Sequence, residues 1–168
     1  MQLVFLLFGV VEMKTWYAIK VVSGKDGDVE AALLDMGLES FAPRYKLQER
    51  KNGKWREKTK YLLEGYVLLR TEMTSELWYR LRDMWYVQYL LAGAVDDTEV
   101  SYIKNYAALA DTSEIDYTGD CVTYRGAIAC DPSRIIKVDK RKGRALIWLE
   151  LDGDSIRRWV PVKIIKST

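Results

Sequence analysis

YLLEGYVLLR, Tyr61–Arg70, is an apolar run of strand length. Its aromatic and branched residues suit the buried middle of a sheet. Immediately before it lies a charge-rich segment, Arg44 to Lys60, with Asn52-Gly53 at its centre. Asn-Gly between two strand-like runs is the strongest short-range signal of a hairpin. After it, Thr74 to Asp83 reads as a helix capped by Thr74 or Ser75, with Leu77, Leu81 and Met84 along one side. Tyr86–Leu91 follows as a strand ended by Gly93, and Asp97 to Leu109 as a third helix with Val100, Ile103, Tyr106 and Ala107 on one face. Upstream, Trp16–Val22 (WYAIKVV) is a strand. Asp26 to Met36 is a helix with Val29, Ala32, Leu33 and Met36 at helical spacing, closed by Gly37, and Glu39–Tyr45 is another strand. The alternation predicts an α+β fold: an antiparallel sheet with flanking helices.

Beyond Leu109 the pattern changes. Ala110 to Thr118 is polar and acidic with no periodicity, and is read as a linker. Then the period becomes two. Cys121–Tyr124, Arg134–Val138, Arg144–Leu151 and Ile156–Val162 read as short strands, with turns at Lys142-Gly143 and Asp152-Gly153-Asp154. Several short strands in about 50 residues predict a small all-β barrel. The expected division is therefore residues 13–109, a linker at 110–118, and 119–168.

Charge supports that division. Residues 1–118 hold 15 Lys/Arg and 18 Asp/Glu, a net of −3; residues 119–168 hold 11 and 6, a net of +5. The chain has no histidine, which removes the commonest general base and metal ligand. Its two cysteines, Cys121 and Cys130, are too few for a structural zinc site and read as reduced intracellular thiols. No nucleophile–base pair, phosphate loop or paired-carboxylate site stands out, so neither catalysis nor a cofactor is expected. The apolar segment Met1–Val11 is too short to span a bilayer and lacks a basic leader and cleavage site.

Several residues in this order resemble one family. Trp16-Tyr17-Ala18 resembles the opening of the NusG N-terminal (NGN) domain. Leu63-Glu64-Gly65-Tyr66-Val67-Leu68-Leu69 resembles its F-P-G-Y-V-L-V core segment. Met73, Trp78 and Arg82 match the M-x4-W-x3-R pattern of the next helix, and Gly93 the glycine after the last strand. Gly119-Asp120, Val122, Gly126, Val138-Asp139 and Gly143-Arg144 resemble a KOW motif, which implies an SH3-like barrel. The KOW glycine is missing near Ser133-Arg134. That departure, with the basic run IIKVDKRKGRA, resembles the specialised antiterminator paralogues LoaP and RfaH more than the general factor.

The resemblance implies a cytoplasmic, monomeric, non-enzymatic transcription factor. One face of its first domain docks on RNA polymerase, through Tyr66, Leu68 and Tyr89 with Trp78 and Arg82 nearby; Trp78 fits a core position equally well. The barrel binds RNA, a small ribosomal-subunit protein, or both. Lys137, Lys140, Arg141, Lys142 and Arg144, with Arg157 and Arg158, form its candidate nucleic-acid surface; a charged hairpin facing water is the plainer reading. The Arg44–Lys60 hairpin carries eight basic residues and Trp55, which suits either phosphate contact with base stacking or a solvated ribbon. RfaH-like relatives read displaced DNA around the first helix, but Asp26, Asp28 and Glu30 would repel phosphate there. The alternative function is an RNA-binding or ribosome-associated protein without polymerase contact; an unrecognised enzyme ranks third. Because Trp16 already opens the first strand, a chain starting at Met13 is expected to fold and act normally, as judged by solubility and circular dichroism.

Overall fold

The structure, a computed structural model, describes residues 13–166. The apolar segment 1–12, and its expected dispensability, lie outside the described residues. Strand β1 (Thr15–Val21) runs through the middle of a four-stranded sheet, followed by α1 (Asp26–Asp35), β2 (Glu39–Phe41), β3 (Arg44–Lys51), β4 (Lys54–Tyr61), β5 (Tyr66–Thr71), α2 (Ser75–Arg82), β6 (Val87–Val95) and α3 (Asp97–Leu109). The sheet order is β2-β5-β1-β6, with every pair antiparallel.

Alternation of side chains along the strands separates two cores. One face carries Ile19, Val21, Val67 and Leu69 against Val29 and Leu33 of α1 and Leu81 of α2. The other carries Trp16, Ala18, Leu68 and Val95 against Val100, Ile103 and Tyr106 of α3. Thr74 caps α2 by accepting the Leu77 N–H at 3.1 Å, and Asp96 caps α3 through the Thr98 N–H at 2.7 Å. α1 closes as a Schellman turn, with Leu38 N–H on the Leu33 carbonyl and Gly37 N–H on that of Leu34.

Three boundaries differ from the sequence reading. The apolar run 61–70 enters the sheet only at Tyr66. Residues 62–65 turn instead, held by the buried Asp26 carboxylate, which accepts the Gly65 N–H at 2.6 Å. The strand expected over Glu39–Tyr45 is split at Ala42-Pro43, where proline has no N–H to donate. Gly93 does not end β6, which continues to Val95. Glycine stands there because the Asp152 carboxylate approaches its backbone: Gly93 N–H donates to Asp152 Oδ2 at 2.8 Å, and a Cβ would overlap that carboxylate.

The segment read as a linker is ordered. Residues 110–112 form a 3-10 turn and Glu114–Asp116 is β7. Then come β8 (Thr123–Arg125), 3-10 turns at 126–129 and 132–134, β9 (Ile135–Asp139), β10 (Arg144–Leu151), β11 (Asp154–Pro161) and β12 (Lys163–Ile165). These strands pair as two three-stranded sheets, β11-β10-β9 and β12-β7-β8, the β12–β7 pair being parallel. Pairing among the described residues does not close into the expected barrel. The mixed α+β class stands, with Ala145, Ile147, Leu149, Val160 and Val162 turned inward.

Those inward residues join the same core as α3 and the sheet face behind it. α3 is therefore shared by the two halves, and one ion pair fixes it. Arg134, after β8, donates Nη1 to Glu99 Oε1 at 2.8 Å and Nη2 to Oε2 at 2.6 Å. Glu99 Oε1 also accepts the Glu150 N–H of β10 at 2.9 Å. The Arg134 guanidinium lies over the rings of Tyr102 (3.9 Å) and Trp148 (4.6 Å), and Nε reaches Asp131 Oδ2 at 3.1 Å. Burial holds the Tyr102 hydroxyl up at about 12, although the Arg134 charge opposes it.

Removing one partner of a buried pair leaves the other charge bare. Arg134→Ala is expected to destabilise the fold by about 3–5 kcal/mol, measured by denaturant titration. Unfolding should remain a single transition, because both halves share the core around α3. Two separate transitions in the unaltered chain would show that the halves are independent.

Candidate functional site

The five residues expected on the polymerase-binding face fall into three places. Tyr66 and Tyr89 come together. Both are register partners of Lys20 in the central strand, so the three stand in a row across one sheet face. Lys20 Nζ sits 4.0 Å from the Tyr66 ring centre. Tyr66 is half-buried, and burial with the nearby Tyr89 and Asp154 pushes its hydroxyl up against the opposing effect of Arg158. Tyr89 is 52% exposed.

Leu68 points to the same side but is fully buried in the core beneath α3, so it is not an exposed anchor. Its inward position follows from α3 covering that end of the face. Trp78 and Arg82 lie on α2, which packs on the opposite face. They form a second cluster: Trp78 (40% exposed) meets Tyr79 edge-on at 5.1 Å, and the Arg82 guanidinium lies over both rings. The sequence reading missed Lys20, whose place beside two tyrosines depends on long-range strand pairing. It also missed the exposed Trp85, beside Tyr86 at φ 68. An aromatic pair where the helical period stops was the available signal.

The second half leans on the tyrosine row. The Arg158 Nη2 donates to the Glu64 carbonyl at 3.2 Å, beside the Gly65 turn. Arg158 is half-buried and faces the first half, which removes it from the exposed basic surface proposed for it. Arg157, its neighbour on the opposite side of β11, is exposed.

The remaining basic candidates do converge. Lys140, Arg141, Lys142 and Gly143 join β9 to β10, and Lys137 is exposed on β9. The Asp139 carboxylate organises the turn, accepting the Lys142 N–H at 3.1 Å and Arg144 Nε at 3.4 Å. Lys140 Nζ stands 3.6 Å over the Tyr117 ring, and the Arg144 guanidinium 4.3 Å over Trp159, itself 38% exposed. Cations held against one exposed and one half-buried ring form a surface suited to phosphates and bases together.

Cys121 and Cys130 are both exposed and free. Among the described residues there is no cluster of metal-ligating side chains, and no helix is long and apolar enough to cross a membrane.

The family model described as NusG, transcription termination factor nusG, matches residues 14–105. Solved structures also resemble the chain. One, described as domain interaction in Thermotoga maritima NusG, is 17% identical with a TM-score of 0.48, covering 88% of this chain and 93% of that one. The MjSpt4:Spt5 complex in conformation A is 15% identical with a TM-score of 0.37, covering 87% and 92%. Conformation B gives 16% and 0.36, covering 87% and 91%. No curated protein matches.

The basic turn should loosen in acid. Its Lys142 N–H, and secondarily Arg144, hold the Asp139 carboxyl below the usual 3.8. A carboxyl lowered by folding stabilises the turn above its unfolded value, and that contribution is lost as pH falls through the lower folded value. The Lys142 amide resonance is expected to titrate with a midpoint below 3.8, and Asp139→Asn to abolish the titration. A midpoint at or above the free value would refute the arrangement.

Proposed function

The chain belongs to the NusG family, and from that premise we propose that it is an elongation and antitermination factor that binds RNA polymerase through residues 13–109, an NGN-like domain. The observation that carries this reading is the row of Lys20, Tyr66 and Tyr89 on one sheet face, with Tyr89 open to a partner. Amphipathic rings beside a cation suit a helical partner with apolar anchors and an acidic edge. The mechanism is differential binding to two states of the polymerase: paused and opened states are disfavoured, and no bond is made or broken.

Residues 119–168 act as a KOW-like domain in this reading, with 110–118 as connector. The Lys140–Arg144 turn binds the nascent transcript or a leader hairpin, and the same domain accommodates a small ribosomal-subunit protein. The missing glycine at Ser133-Arg134 and the basic turn favour a specialised paralogue of the LoaP and RfaH type. A soluble cytoplasmic monomer fits this role.

Tyr89→Ala is expected to weaken polymerase binding by ~2 kcal/mol or more, as for truncation of an interface anchor. Tyr66→Ala acts in the same direction. Unchanged binding, with circular dichroism intact, would remove the row from the interface. Changing Lys140, Arg141 and Lys142 together to Glu is expected to abolish RNA binding while polymerase binding persists. If that variant binds RNA as the unaltered chain does, the domain's partner is a protein.

A further inference from the structure

The β3–β4 ribbon has two chemically different faces. Its register is fixed by a type I′ turn, with Asn52 at φ 52 and Gly53 at φ 76. Arg50 pairs with Trp55, Gln48 with Glu57, Lys46 with Thr59 and Arg44 with Tyr61 on one face. On the other, Lys51 pairs with Lys54, Glu49 with Arg56, Leu47 with Lys58 and Tyr45 with Lys60. Lys54, Arg56, Lys58 and Lys60 therefore line one side of β4 at every second residue, joined by Lys51 across the strand.

This stripe is largely uncompensated. On the opposite face, Arg44 pairs with Glu30, and Lys46 with Glu57 at 2.8 Å. On the stripe, the one carboxylate, Glu49, is engaged by Lys58 at 3.4 Å. Lys51, Lys54, Arg56 and Lys60 have no ion pair among the described residues, and all are exposed. Lys51 and Lys54 also stand directly opposite each other, an arrangement that destabilises a strand pair. The opposite face holds three cations, of which Arg50 is also without an ion pair among the described residues, so the larger excess, five cations against the single carboxylate Glu49, lies on the stripe.

We propose that this stripe binds the phosphate backbone of nucleic acid without reading its sequence, as an anion-binding footprint separate from the Lys140–Arg144 turn. Side chains two residues apart on a strand are about 6.7 Å apart. The four β4 cations thus form a row about 20 Å long that lies along a phosphate backbone, each contact releasing a counterion. Bound phosphates would relieve the Lys51–Lys54 repulsion. Trp55 lies on the opposite face, where it lines a cleft of about 600 Å³ with Pro161 and Lys163, so base stacking on its ring is not part of this contact.

The test is anisotropy of labelled nucleic acid of arbitrary sequence, as duplex DNA and as single-stranded RNA, titrated with the full chain at several salt concentrations. The variant K54Q/R56Q/K60Q removes three unpaired cations and leaves the Lys58–Glu49 pair. It should lose at least about tenfold in affinity, and its salt dependence should flatten by about 0.7–0.9 for each phosphate no longer neutralised. W55A and R50Q, on the other face, should bind within about twofold of the unaltered chain; the duplex and single-strand arms identify the preferred ligand. Unchanged affinity and salt slope in the stripe variant would overturn the proposal. So would an equal loss in W55A or R50Q. A loss confined to the K140E/R141E/K142E variant would overturn it too, while leaving the proposed role of the turn standing. Circular dichroism on each variant confirms that the exposed ribbon has been altered without unfolding the chain.

Discussion

The two-pronged contact between Arg134 and Glu99 is the constraint on which the arrangement of the two halves depends. Glu99 is buried near the start of α3 and must have donors; it receives two from the guanidinium and one from the backbone of β10. A buried carboxylate held from three directions leaves little freedom to what surrounds it. It sets how β10 lies along α3, and so brings the next turn to the sheet edge, with Asp152 on Gly93 and Arg158 on the Glu64 carbonyl. Hydrophobic burial supplies the cohesion between the halves, but it is non-directional. The ion pair supplies the register.

That register decides what each surface presents. The sheet face bearing Tyr66 and Tyr89 is partly occupied by the second half, with Tyr89 the more open of the two. The Lys140–Arg144 turn projects from the second half with its cations laid over Tyr117 and Trp159. The β3–β4 ribbon projects from the first half with its own sorted charges. Three chemically distinct surfaces thus rise from one continuous core: a row set by long-range strand pairing, and two held locally, a carboxylate-braced turn and a type I′ hairpin.

What was legible in the sequence was local. The helices were read within a residue or two, because the spacing of Val29, Leu33, Leu81, Val100 and Ile103 encodes which face is buried. The Asn52-Gly53 hairpin and the β10 strand were equally plain. What failed to show depended on contacts between distant segments. Gly93 looked like a strand terminator, because nothing in the chain announces that Asp152 will approach it. Leu68 looked like a surface anchor, because its burial needs α3 to cross the sheet at that point. Residues 110–116 had no periodicity because three-residue strands are too short to display one. Arg134 sits where the KOW pattern expects a glycine, and its role as the cation joining the halves depends on Glu99 of a distant helix.

The sharing of α3 has a consequence for how such a chain can be rearranged. Modules joined by a passive tether can be exchanged, each carrying its own core. Here the second half cannot be lifted out without stripping Glu99 of all three donors and uncovering Val100, Ile103 and Tyr106. A chimera with another protein's C-terminal half would inherit a buried, unanswered carboxylate on its central helix. Exchanging the second half therefore requires either a replacement donor at the Arg134 position or a matching change at Glu99.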